Sequence, residues 1–146
     1  MAHQHRRVGL DTSCVIPLLC EWHEFHAPTA AAIGTVPLKS MVICCHVLLE
    51  AFAVLTRLPA PYRIPPRQAE RLLAANFSDS VQICGVLERD TWASLARVAE
   101  RQAGGGKVYD AVVAHATAQA GASMLLTWNV KDFIVVAPHG LEIRTP

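Results

Sequence analysis

The chain has 146 residues, 52% of them hydrophobic and 17% charged, with a formal net charge of +1. That length predicts a single domain over residues 1–146, and the composition supplies a real core and excludes a disordered chain. The net charge is too small to indicate a partner, although Arg57, Arg63, Arg67 and Arg71 lie close together in the sequence.

In chain order, residues 1–6 are polar and read as a frayed end, in which His3 and His5 are weak metal donors. Arg7 to Leu10 reads as a short buried strand. Thr12 or Ser13 is expected to cap a helix running to Cys20. Glu21 to about Ile33 reads as a continuing or restarted helix that Gly34 and Pro37 break. Met41 to Cys44 is a second strand, and His46 to Leu58 a helix stopped by Pro59 and Pro61. A proline loop to Pro66 leads to a helix over Arg67–Phe77. Val81 to Cys84 is a third strand candidate, and Leu87 to Gln102 an amphipathic helix ended by Gly104-Gly105-Gly106. Tyr109 to Gln119 is helical and closed by Gly121. Ser123 to Thr127 is a strand, Asn129 to Phe133 a turn or half-helix, and Leu141 to Arg144 an edge strand. Short apolar strands alternating with helices define an α/β protein with an open parallel sheet, whose ligands sit at the carboxyl ends of the strands.

Other signals are mostly exclusions. Five cysteines, an odd number with no evident secretory segment, point to a reducing cytosol and to packing as small hydrophobes. Their spacing does not suit zinc. No apolar run is long enough for a membrane span, so no membrane partner is expected. Gly104-Gly105-Gly106-Lys107 lacks the spacing of a phosphate-binding loop and follows a helix instead of a strand.

The chemistry lies in four carboxylates: Asp11 after the first strand, Glu50 in the helix after the second, Asp110 near a helix start, and Asp132 after the fourth strand. Glu50 is flanked on both sides by apolar residues, and Asp110 opens the apolar stretch Ala111 to Ala114. Buried carboxylates are expensive unless paired or bound to a cation. Each alone fits a cap, a loop or an exposed helix position. Together they can meet at one sheet edge, where a hard cation such as Mg²⁺ or Mn²⁺ would relieve their repulsion. That is the chemistry of metal-dependent phosphodiester hydrolysis. Asp110 at a helix N-terminus is expected to stay ionised. Thr12, Ser13, Thr127 and Asn129 are short polar groups able to orient a water or a phosphate.

Four segments in order resemble the PIN-domain ribonucleases, and within them the VapC toxins of type II toxin–antitoxin pairs. These are Gly9 to Ser13, Leu48 to Pro59, Val108 to Ala116 and Leu125 to Phe133, which together span residues 9–133. The resemblance implies a PIN-like three-layer fold, with a central parallel sheet of four or five strands flanked by helices. It implies endonucleolytic hydrolysis of RNA with Mg²⁺ or Mn²⁺ held by Asp11, Glu50 and Asp110. Many relatives carry an aspartate two residues after the signature threonine, where this chain has Asn129; the fourth acidic position is divided between Asn129 and Asp132. Arg57, Lys107 and Lys131 are candidates for phosphate contacts, and Trp128 for stacking on a base. The same resemblance implies a homodimer, assembled as a heterotetramer or larger with a VapB-like antitoxin. The antitoxin tail would enter an apolar groove near the active site, for which Cys14, Leu18, Leu19, Trp22, Phe25, Phe52 and Leu55 are candidate linings that fit buried core or dimer contact equally well.

Two rivals stand beside this reading. A phosphoryl-transfer enzyme of the haloacid dehalogenase or receiver type also uses an aspartate after strand one, but needs a second where Ser13 stands. A degenerate PIN scaffold binding RNA or protein is favoured by Asn129 and opposed by Asp11, Glu50 and Asp110.

Overall fold

The computed structural model describes residues 6–146, so His3 and His5 lie outside the described residues. Five strands form one parallel sheet: β1 (Arg7–Leu10), β2 (Met41–Cys44), β3 (Gln82–Cys84), β4 (Ala122–Leu126) and β5 (Glu142–Arg144). Their order across the sheet is β3-β2-β1-β4-β5. The chain steps outward from β1 to β3, then returns to lay β4 on the other side of β1. Such a reversal opens a crevice at the carboxyl ends of the two central strands, here just after Leu10 and Leu126.

Helices α1 (Thr12–Leu19), α2 (His26–Gly34), α3 (Cys45–Arg57), α4 (Pro66–Phe77), α5 (Thr91–Glu100), α6 (Lys107–Gln119) and α7 (Val130–Val136) cover the sheet. The middle strands are buried on both faces, which explains their unbroken apolar runs. Leu10, Val42, Ile43 and Leu125 are fully buried with Val15, Val47, Leu55 and Phe133 from the helices. Helix α6 presses so closely on β1 that a Cβ at Gly9 would overlap the Thr117 methyl group. Gly9 is therefore required by close approach, and Gly121 by its φ of +87° where α6 turns into β4.

Several boundaries differ from the sequence reading. The helix expected from Glu21 begins only at His26. The intervening residues form turns, because local and long-range partners compete with helix formation there. The Phe25 amide bonds His23 Nδ1, and His26 Nδ1 bonds the Pro17 carbonyl. Trp22 stacks on Tyr62, and Phe25 on Trp128. The helix expected over 87–102 is divided into a 3-10 turn at Glu88–Asp90 and α5. The cap of α1 is neither Thr12 nor Ser13 but Asp11, whose carboxylate accepts the Ser13 N–H. Cys14, Cys20 and Cys44 pack as buried hydrophobes, whereas Cys84 is half-buried and Cys45 exposed. No helix among the described residues is long and apolar enough to cross a membrane.

Candidate active site

Asp11 directly follows β1, and its amide donates to the Leu126 carbonyl at the end of β4. Its side chain is buried, a position that demands hydrogen bonds for a carboxylate. Three donors converge on Oδ2: the Ser13 amide at 3.3 Å, Ser13 Oγ at 2.8 Å and Thr127 Oγ1 at 3.0 Å. The two hydroxyls are themselves oriented by backbone donors. Ser13 Oγ accepts the Trp128 N–H at 2.9 Å, and Thr127 Oγ1 accepts the Asn129 N–H at 2.9 Å. Each oxygen accepts from an amide and can turn its hydrogen to Asp11, and the two hydroxyls also lie 3.1 Å from each other. The β4–α7 loop and the start of α1 thus lock one carboxylate from two sides.

Glu50 reaches the same place from the second turn of α3. Its Oε2 accepts Thr12 Oγ1 at 3.1 Å and lies 3.7 Å from His46 Nε2, one turn earlier on the helix. His46 stacks on Tyr109 with ring centroids 4.9 Å apart and planes 5° from parallel, linking α3 to α6 beside Asp110. Asp110, on the first turn of α6, is half-buried. Asp11, Glu50, Asp110 and Asn129 line one pocket of about 320 Å³, together with Ser13 and Trp128.

The pocket is electrostatically strained. Burial first, then the charges of Asp11, Asp132 and Glu50, push the Asp110 carboxyl up to about 6; Lys107 opposes the rise. The helix N-terminus, expected to keep Asp110 comfortably ionised, is therefore outweighed by lost solvation and like charge. Among the described residues, no three carboxylate, histidine or cysteine groups stand close enough to form a ready-made ligand cage.

The remaining candidates lie further out. Asp132 is exposed and paired with Lys107, Oδ1 to Nζ at 3.2 Å, so these two residues engage each other. Arg57 and Lys131 are exposed and outside the pocket lining. Arg57 stands two helical turns beyond Glu50, about 10 Å along the axis. Trp128 is held from two sides: Phe25 stacks on its ring at 4.3 Å, and its Nε1–H donates to Thr29 Oγ1 at 2.9 Å. Of the residues assigned to an apolar groove, Cys14 and Leu55 are fully buried core, whereas Trp22 and Phe25 are exposed. Sequence reasoning missed His46, Tyr109 and His23 at this site. The i, i+4 spacing of His46 and Glu50 was the available signal. His23 lines the pocket from a turn that reads as helix in the sequence.

An acidic pocket at the crevice of an open parallel sheet defines an α/β protein built to bring carboxylates together. The PIN domain model matches residues 8–137. Ribonuclease VapC27 of Mycobacterium tuberculosis is 39% identical over 113 residues, 77% of this chain and 77% of that protein. Ribonuclease VapC40 of the same species is 32% identical over 119 residues, covering 81% and 84%. The crystal structure of M. tuberculosis VapC20, described as a sarcin–ricin loop cleaving toxin, shares the fold. Its TM-score is 0.70 at 18% identity, over 90% of this chain and 99% of that one. The chain belongs to the PIN-domain family and, within it, to the VapC ribonucleases.

Proposed function

We propose that this protein is a divalent-metal-dependent endoribonuclease toxin, with its active centre at Asp11, Glu50 and Asp110. The observation that carries the reading is the convergence of these three carboxylates, successively 39 and 60 residues apart in the sequence, on one pocket at the sheet's carboxyl edge. The donor set is all hard oxygen, which fits Mg²⁺ or Mn²⁺ and not a soft metal. A divalent cation, when bound, neutralises the carboxylates, polarises the phosphate and makes water a better nucleophile.

The chain's own residues prepare that chemistry. Ser13 and Thr127 hold Asp11 in a fixed orientation. Thr12 orients the Glu50 carboxylate. Asn129 supplies a neutral amide at the pocket wall, suited to a sugar hydroxyl or phosphate oxygen, and takes the fourth position there. Asp132 acts through charge, tethered by Lys107. Arg57 and Lys131 serve phosphates beyond the scissile one. The whole of residues 1–146 acts as one PIN domain, and its substrate is RNA. A VapB-like antitoxin neutralises the toxin, and two copies form the homodimer on which that complex is built, in the cytoplasm.

The test is cleavage of total cellular RNA by purified protein in Mg²⁺, Mn²⁺ or EDTA, mapped by 5′-end sequencing. Discrete metal-dependent ends that vanish in Asp11→Asn and Asp110→Asn are expected. Full cleavage by folded Asp11→Asn in Mg²⁺ would refute the assignment.

A further inference from the structure

Five aromatic rings run in contact from the acidic pocket toward the proline loop. Trp128, Phe25 and His23 line the pocket itself. Phe25 stacks on Trp128 at 4.3 Å, and His23 follows at 5.7 Å from Phe25. Trp22 lies 5.8 Å beyond His23 and stacks on Tyr62 of the proline loop at 4.2 Å. The inner end is anchored by the Trp128–Thr29 hydrogen bond. The outer rings face water: Phe25 is 37% exposed, Trp22 48% and Tyr62 44%. Single exposed aromatics are ordinary, but a connected row opening onto a pocket is a binding feature.

We propose that this ladder is the track on which unpaired RNA bases next to the scissile phosphate stack, with Trp22 and Tyr62 as its outer positions. The proposal rests on the nuclease reading above. Aromatic faces accept any base, and rings already held by one another lose little freedom when a base is added. Charge along the ladder is mixed, with Glu21 and Glu24 exposed on the turn that carries Trp22, His23 and Phe25, and it becomes cationic only at the outer end. The ladder ends beside exposed Arg63, whose Nε–H is pinned to the Leu58 carbonyl at 2.9 Å, and Arg57 stands at the end of the adjoining helix. A polyanion leaving a carboxylate-lined pocket needs such cations at its exit. The imidazole of His23, the indole N–H of Trp22 and the phenol of Tyr62 also give the row polar edges, which a purely apolar peptide groove would not require.

The experiment uses Asp110→Asn protein, so that substrate survives, and fluorescence anisotropy in Mg²⁺. The probes are a mixed-sequence single-stranded RNA of about twelve nucleotides, its duplex, and an abasic strand of equal length. Trp22→Ala and Tyr62→Ala are each expected to weaken single-strand binding about tenfold, Trp22→Phe to restore most of it, and duplex and abasic binding to stay unchanged. Cross-linking of 5-bromouridine RNA to the protein with its ladder intact, mapped by mass spectrometry, should mark Trp22 or Tyr62. This keeps the test decisive if an alanine variant misfolds. Unchanged single-strand affinity with no cross-link at either ring overturns the proposal. So does an equal loss for the abasic strand, which would mean charge alone. So too does an effect seen only on neutralisation by a protein antitoxin, which would make the row a protein-docking face. Cleavage by the wild-type protein is scored separately. If Trp22→Ala protein with Asp110 intact cleaves RNA as well as wild type does, the ladder fails and the nuclease stands. If wild type does not cleave, the binding data still decide the ladder.

Discussion

Replacing Asp110 by asparagine should make the metal-free protein more stable while destroying its activity. In the folded chain, burial and three neighbouring carboxylates raise the Asp110 carboxyl from its ordinary 3.8 to about 6. The folded state therefore holds this proton more tightly than the unfolded state, and stability falls as pH rises from about 4 to about 6. Above that window the penalty is full. At about 1.4 kcal/mol per pKa unit its ceiling is about 3 kcal/mol. The side chain is half open to water, and solvent screening reduces the figure to about 1 kcal/mol. Asparagine keeps the shape and removes the charge, so Asp110→Asn should melt about 2–4 °C higher at neutral pH in EDTA. The gap should close as pH falls toward 4, where the aspartate is itself protonated. The assay is thermal unfolding of both proteins across that range, paired with RNA cleavage in Mg²⁺. A lower melting temperature for the variant at neutral pH, or a gap independent of pH, would refute the electrostatic account of the pocket.

Stabilisation by Mg²⁺ should follow the same proton in reverse: the rise in melting temperature on adding Mg²⁺ should grow from about pH 5 to above pH 6 as Asp110 ionises. A rise of equal size at both ends would remove Asp110 from the ligand set. Gly9→Ala should lower stability by about 1–3 kcal/mol, because the fully buried Thr117 cannot retreat from the new methyl group; chemical denaturation measures this, and a neutral result would mean that β1 and α6 can separate. Ser13→Ala removes one donor to Asp11 and the acceptor of the Trp128 N–H. It should cost about 1–3 kcal/mol and reduce cleavage, whereas wild-type rates in Ser13→Ala would show that Thr127 alone positions Asp11.

The sheet was legible because its strands are buried on both faces and announce themselves as apolar runs between breakers. Met41–Cys44 and Arg7–Leu10 fall where the pattern places them. The errors cluster where tertiary contacts overrule local preference. Residues 21–25 carry helix-compatible side chains, yet stacking onto Tyr62 and Trp128 draws their rings outward and holds the backbone in turns. Asp11 was legible as a carboxylate at a strand end, but not as the helix cap. The two hydroxyls that clamp it come from positions 114 residues apart, and no local pattern joins them. The Asp110 environment was misjudged for a related reason. Its helix terminus is visible in the sequence, whereas the burial and the charges contributed by other elements are visible only in three dimensions.

The pocket has a rigid half and a compliant half, and the division has a physical basis. Asp11 is held by neutral hydroxyls whose own orientations are set by backbone amides, so its position does not depend on any other charge. Glu50 has one hydroxyl and a histidine at 3.7 Å, and stands half open to solvent. Asp110 is unsettled first by burial and then by repulsion from Asp11, Asp132 and Glu50. Three fully clamped carboxylates would make a costly concentration of charge, and three loose ones would leave no reference point for a reacting phosphate. One firmly held carboxylate and two with fewer partners satisfy both demands. Substitutions that loosen Asp11 should therefore reduce the rate of cleavage more than the affinity for a cation. Substitutions at Glu50 and Asp110 should weaken cation affinity first, because these are the groups whose repulsion the cation relieves.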